Sequence, residues 1–332
     1  MIIVFDPAQR AHAPARELHN GSFVPHADTV ARADNMLAAL GDWTLAVDHG
    51  IGPIARVHGA DYLAFLQTAF EDWQGAGRPG DAVPYVFPVV GRRPLNLDRI
   101  DARLGRFAID CGTPIAAGTW QAVYAGAQVA LTALDHVGQG AAFALCRPPG
   151  HHAGADYCGG YCYLNNAAIA AQAAVDAGKR VAILDIDYHH GNGTQDIFWE
   201  RANPLFVSIH ADPRTDYPFY WGHADETGAG EGAGATLNLP LPHGTGLAAY
   251  RPALVQALDR IRAFAPDLLV VSFGADTFVD DPISHFALRT ADYPVIAADI
   301  AALGVPVLIV MEGGYAVDAL GENVAAFLSG FD

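Results

Sequence analysis

Lysine is almost missing from this chain: Lys179 is the only one in 332 residues. A Schiff-base lysine and a phosphate-loop lysine are nearly excluded by that count alone. The Gly191-Asn-Gly193 turn also lacks the rest of the G-x-x-x-x-G-K pattern. Positive charge is scarce throughout. Nineteen Lys and Arg face 36 Asp and Glu, a formal net charge of −17. Nucleic acid binding needs a basic footprint and is disfavoured. A negative field instead favours solubility and steers cationic ligands. Long apolar runs are lacking too. None approaches the roughly 18–20 residues that span a bilayer, so no membrane association is expected. The opening Met1-Ile-Ile-Val-Phe-Asp6 is too short and too uncharged for a secretory leader. It reads as a first strand, and a cytoplasmic location is expected. The four cysteines, Cys111, Cys146, Cys158 and Cys162, form no Cys-x-x-Cys pair. They read as free buried thiols in a reducing compartment, with metal binding by Cys158-x-x-x-Cys162 a lesser alternative. No G-x-S-x-G nucleophile elbow is present, and the glycine run 228–234 holds no G-x-G-x-x-G.

What the chain does have is core. Hydrophobic residues make up 52%, and the length allows one large domain or two small ones. Apolar, β-branched runs recur at 141–147, 181–187, 205–210, 268–274 and 306–311. Between several of them lie Ala-rich stretches with helical spacing, at 118–136, 165–177, 247–264 and 291–303. Strands alternating with helices imply an α/β domain whose parallel sheet is covered by helices on both faces. Strands apolar at consecutive positions fit that two-sided burial. Residues 75–106, rich in Gly, Pro and Arg, read as an excursion, and 211–235 as a long functional loop.

Polar groups gather where the apolar runs stop. Arg147-Pro-Pro-Gly-His-His152 follows one run, and Asp185-Ile-Asp-Tyr-His189 ends a second. Asp276 ends a third, and Glu312-Gly-Gly-Tyr315 follows a fourth. Open parallel sheets bind ligands at the carboxyl ends of their strands. Asp185, Asp187 and His189 are spaced by two, which puts them on one face of an extended chain. Isolated carboxylates are costly to desolvate there. Asp187, His189 and Asp276 therefore read as three metal ligands with a fourth position left open, the arrangement of catalytic rather than structural sites. Two carboxylates and an imidazole suit zinc, with iron(II) or cobalt also fitting. The bland reading of Asp187 and His189 is helix capping. His151 and His152 follow a stiff Pro-Pro-Gly turn and suit proton transfer. Asp185 is placed to orient His151, and Asn192 to orient His152. Tyr315, behind two glycines, is placed to donate to a developing oxyanion; taken alone it would read as a packed tyrosine.

Together these residues resemble the arginase–deacetylase superfamily, and within it the histone deacetylase-like amidohydrolases of the acetylpolyamine amidohydrolase branch. The motifs that carry the likeness are Arg147-Pro-Pro-Gly-His-His-Ala153, Gly159-Gly-Tyr-Cys-Tyr-Leu-Asn-Asn166, Asp185-Ile-Asp-Tyr-His-His-Gly-Asn-Gly-Thr194, Gly274-Ala-Asp-Thr277 and Glu312-Gly-Gly-Tyr315. The likeness runs over essentially the whole chain, including Glu17-Leu-His-Asn-Gly21 and Gly118-Thr-Trp120.

The resemblance implies a single domain over 1–332 with an eight-stranded parallel sheet, and a loop insertion around 75–106 that dimerises the protein and narrows its entrance. It implies Zn²⁺ on Asp187, His189 and Asp276, an acid–base pair of His151 and His152, and Tyr315 on the amide carbonyl. It implies structural K⁺ near Asp185, Asp187, His189 and Ser208, and a substrate tunnel at Gly160, Tyr161 and Tyr217. Asn192 stands where class I histone deacetylases carry Asp, which favours the acetylpolyamine branch. The glutamate by which the family meets the substrate's distal ammonium falls on Gly112, with Asp110 close by. The implied activity is zinc-dependent removal of acetyl groups from a small cationic amine: acetylputrescine, acetylcadaverine or acetylspermidine. The runner-up is a protein or peptide acetyl-lysine deacetylase. A two-manganese ureohydrolase needs more carboxylates than are found. A non-catalytic binding protein on this scaffold would not keep His151, His152 and Tyr315.

Overall fold

A computed structural model describes residues 1–89, 95 and 97–332. The expected insertion at 75–106 therefore falls partly outside the described residues. Ten strands are described: β1 Ile2–Phe5, β2 Arg16–His19, β3 Ser22–Pro25, β4 Thr44–Leu45, β5 Ala142–Ala144, β6 Val181–Asp185, β7 Leu205–Ala211, β8 Thr236–Leu241, β9 Leu268–Phe273 and β10 Val307–Met311. β2 and β3 form an antiparallel hairpin. The other eight form one sheet in the order β4-β1-β5-β10-β9-β6-β7-β8, with every pairing parallel.

The central strands are apolar at successive positions because they divide their side chains between two cores. In β9, Leu268 and Val270 enter one core, while Leu269, Val271 and Phe273 enter the other. β6 and β10 divide the same way, as the two-residue period requires. Helices Ala60–Gly75, Thr119–His136 and Asn166–Asp176 cover the first face. Helices Val30–Leu40, Leu247–Phe264, Tyr293–Ala301 and Val317–Ser329 cover the second. The helix at 166 starts where it does because the Asn165 side chain accepts from the Ala168 N–H at 2.9 Å. No helix is long and apolar enough to cross a membrane among the described residues.

Four neighbouring strands, β5, β10, β9 and β6, deliver the chemistry-bearing segments to one sheet edge. Parallel register aligns their carboxyl ends: Asp185 sits beside Ser272 on one side and Ser208 on the other.

Candidate active site

Beyond β6, the chain continues through Asp187 and His189; beyond β9, through Asp276. Their ligand atoms lie within 4.8 Å of one another. His189 Nδ1 is 3.0 Å from Asp276 Oδ2 and 3.4 Å from Asp187 Oδ1. Both carboxylates are fully buried. Burial and the neighbouring charge of Asp187 push the Asp276 carboxyl up to about 7. Burial opposes charge on His189, but the two carboxylates overrule it and raise the imidazole to about 10. This pocket demands positive charge, and neither Lys nor Arg reaches it to ion-pair with Asp187 or Asp276 among the described residues. A divalent cation fits that donor set. Gly274 and Gly313 let the backbone come close: a Cβ at either would lie 2.0 or 2.5 Å from a carboxylate oxygen of Asp187 or Asp276.

His151 and His152 pack 4.0 Å apart between ring centroids. His151 Nδ1 is 3.1 Å from Asp185 Oδ2, and its Nε2 is 3.7 Å from Asp187 Oδ1. His152 Nδ1 is 2.6 Å from Asn192 Oδ1. An amide oxygen only accepts, so that nitrogen carries the proton and Nε2 is left as a base. The two rings differ electrostatically. Burial opposes the His151 imidazolium, but Asp187 and Asp185 raise it to about 10. Burial, with His151 and His189 beside it, holds His152 well below its ordinary value.

Tyr315 is held from three sides. Its N–H donates to Asp281 Oδ2 at 2.6 Å, the Arg32 guanidinium lies 4.8 Å from its ring centroid, and the Tyr161 ring is 5.5 Å away. Burial pushes the phenol well above its usual range, so it keeps its proton and can donate. Tyr217 stands edge-on to His152 at 5.0 Å. Gly160, at φ +53°, passes so close to His152 that a Cβ would lie 2.2 Å from its Cδ2. Ser208 is buried on β7, hydrogen-bonded to His210 at 2.8 Å. It adjoins Asp185 but not the His189 ring, which faces Asp187 and Asp276.

Several supporting groups, Asp110 apart, carry no role in the sequence reading. Glu312 is fully buried and accepts from the Gly150 and His151 N–H groups at 2.6 and 3.1 Å, fixing the turn that carries both histidines. Burial pushes its carboxyl up to about 7. Arg32 donates to the carbonyls of Gly314 and Glu312 at 2.6 Å each, and to Asp28 at 2.6 Å. Asp281 holds the N–H groups of Tyr315 and Ala316. Glu17 accepts from the Tyr161 hydroxyl at 2.9 Å, and Asp110 from the Tyr217 hydroxyl at 2.9 Å. The Glu312 motif was visible in the sequence; nothing local marked Arg32 or Asp281.

The histone deacetylase domain family matches residues 46–331. Acetylpolyamine amidohydrolase 1 of Pseudomonas aeruginosa is 50% identical, covering 100% of this chain and 99% of that one. Acetylpolyamine amidohydrolase of Mycoplana ramosa is 45% identical over 99% of each. The crystal structure of acetylpolyamine aminohydrolase from Burkholderia pseudomallei superposes with a TM-score of 0.95 at 43% identity, covering 100% of this chain and 98% of that one.

Proposed function

We propose, for a chain that belongs to the histone deacetylase family of the arginase–deacetylase superfamily and is an amidohydrolase, the hydrolysis of acetylated polyamines such as acetylputrescine, acetylcadaverine and acetylspermidine. The observation that carries this reading is the convergence of three metal-type ligands, a paired histidine dyad and a tyrosine that keeps its proton at one sheet edge. Asp187, His189 and Asp276 would hold the divalent cation, zinc by preference with iron(II) or cobalt also fitting. Such a cation would supply Lewis-acid polarisation of the amide carbonyl and would acidify a water.

The chain's own groups supply the rest. Neutral His152, fixed by Asn192, takes the proton of the attacking water. His151 is oriented through Nδ1 by Asp185 and stands beside Asp187. Tyr315 donates its hydroxyl proton as a hydrogen bond to the oxygen that gains charge as water adds to the carbonyl carbon. The C–N bond then breaks, and the amine nitrogen leaves with a proton from the histidine pair. Gly160, Tyr161 and Tyr217 form the wall through which the acyl end approaches. Two carboxylates stand behind that wall, Glu17 on Tyr161 and Asp110 on Tyr217, and they favour a cationic chain.

Structural K⁺ at Asp185, Asp187, His189 and Ser208, a cytoplasmic location and a homodimer belong to the same reading. Tyr85 and Val89 of the insertion are 72% and 71% exposed, which favours a protein surface against them. The deciding assay compares acetylputrescine with an acetyl-lysine peptide on the zinc-loaded protein. A higher kcat/KM on acetylputrescine supports the proposal; a wide preference for the peptide would make the chain a protein deacetylase instead.

A further inference from the structure

A second group of metal-type ligands lies outside the site above. Asp216, His243 and His285 each offer a ligand atom, and the three atoms lie within 4.8 Å of one another. Both imidazoles are exposed, whereas the Asp216 side chain is 9% exposed. The histidine rings sit 4.6 Å apart, tilted by 49°. Backbone bonds pin their two loops together: Gly244 N–H donates to His285 O at 2.7 Å, and Ala287 N–H to Thr245 O at 2.9 Å. The imidazoles are thus held side by side before any ligand arrives. The carboxylate is held too, accepting from the Tyr188 hydroxyl on Oδ1 at 2.6 Å and from Thr215 on Oδ2 at 2.6 Å.

We propose that Asp216, His243 and His285 form a second, solvent-facing binding site for a divalent cation of the zinc, cobalt or nickel class. Two imidazoles and one carboxylate are the donors such ions prefer, and exposure leaves the remaining positions to water. His243 Nε2 now faces Asp216 Oδ2; the cation takes the place of the proton between them, which moves to Nδ1 or to solvent. A buried alternative, His12 with His26 and Asp28, also brings its ligand atoms together. There the Asp28 carboxylate already carries the guanidiniums of Arg32 and Arg147, which repel a cation.

The position has a consequence for the rest of the molecule. Tyr188, which binds Asp216 through its hydroxyl, donates its backbone N–H to Asp276 at 2.9 Å. Tyr217, the next residue after Asp216, carries the ring that stands against His152. A cation on Asp216 therefore clamps the segment that bears Tyr217.

Equilibrium dialysis against graded free zinc, with metal counted per chain, tests this on the intact protein. His243→Ala, His285→Ala and the double variant change only exposed rings. The parent should bind one equivalent more than the double variant. Each single variant should bind that equivalent at least about tenfold more weakly, since losing even an outer partner of a ligand costs about 10–100-fold. The comparison is a difference between parent and variants, so it holds whatever occupies Asp187, His189 and Asp276. Superimposable isotherms for parent and double variant would overturn the proposal.

Discussion

Gly160→Ala places one methyl group where the structure leaves no room, and its effect can be worked out. The new Cβ would lie 2.2 Å from His152 Cδ2 and 2.7 Å from its Cγ, whereas ordinary contact starts near 3.4 Å. One side must yield by about 1.2 Å. The backbone is poorly placed to do so. Gly160 N–H is tied to Asp110 Oδ2 at 2.7 Å, and Tyr161 N–H to Thr113 Oγ1 at 3.0 Å. The His152 ring yields instead, at the expense of its 2.6 Å hydrogen bond to Asn192. A misplacement of about 1 Å costs on the order of 100-fold in rate. Ala at φ +53° also costs about 1–2 kcal/mol of backbone strain. We therefore expect kcat on acetylputrescine to fall about 100-fold, with Tm lower by only a few degrees and bound metal unchanged. Steady-state kinetics, a thermal melt and metal analysis on the same preparation give all three. A variant within a few-fold of the parent rate would refute the claim that His152's position limits turnover.

Tyr315→Phe should lower kcat by about 10²–10³, the range for loss of one oxyanion donor, while metal content stays the same; an unchanged rate would remove Tyr315 from the mechanism. Asp28 yields a pH prediction. Burial works against its carboxylate, but Arg147 and Arg32 overrule it and hold it at about 2, below its ordinary 3.8. Its contribution is present above the unfolded value and is lost as pH falls from about 4 to about 2, on the order of 2 kcal/mol by linkage. Denaturant melts of the parent and Asp28→Asn should therefore converge by about that amount in acid; a constant gap would contradict it. Replacing Tyr85 and Val89 by Asp should shift the protein toward monomer in light scattering, and an unaltered mass would detach the insertion from assembly.

The sequence was most legible where burial is two-sided. β6, β9 and β10 are apolar at nearly every position, with Asp185 and Ser272 the exceptions, because each face meets a core, and they stood out at once. β8 and β4 did not, since both are edge strands. β8 is fully buried only at Thr236 and Asn238 and contains Pro240, tolerated only at an edge. β4 is two exposed residues long. Within the site, Asp187, His189 and the tandem histidines were legible because local spacing places them together. Arg32 was not, because its contacts with Gly314 and Glu312 span 282 and 280 residues of chain. In sequence it is one more arginine in a helix. The bond from Tyr161 to Glu17 was hidden for the same reason, and Asp110, noted only as a neighbour of Gly112, meets Tyr217 only after the chain has folded.

The most direct test follows hydrolysis of acetylputrescine while zinc is returned to chelated protein, alongside Asp187→Asn and Asp276→Asn. The parent should be inactive after chelation and regain turnover in step with the first zinc bound per chain, and both variants should lose that zinc and the activity together. Full turnover by the chelated parent, or variants that bind the activating zinc as tightly as the parent, would contradict the account.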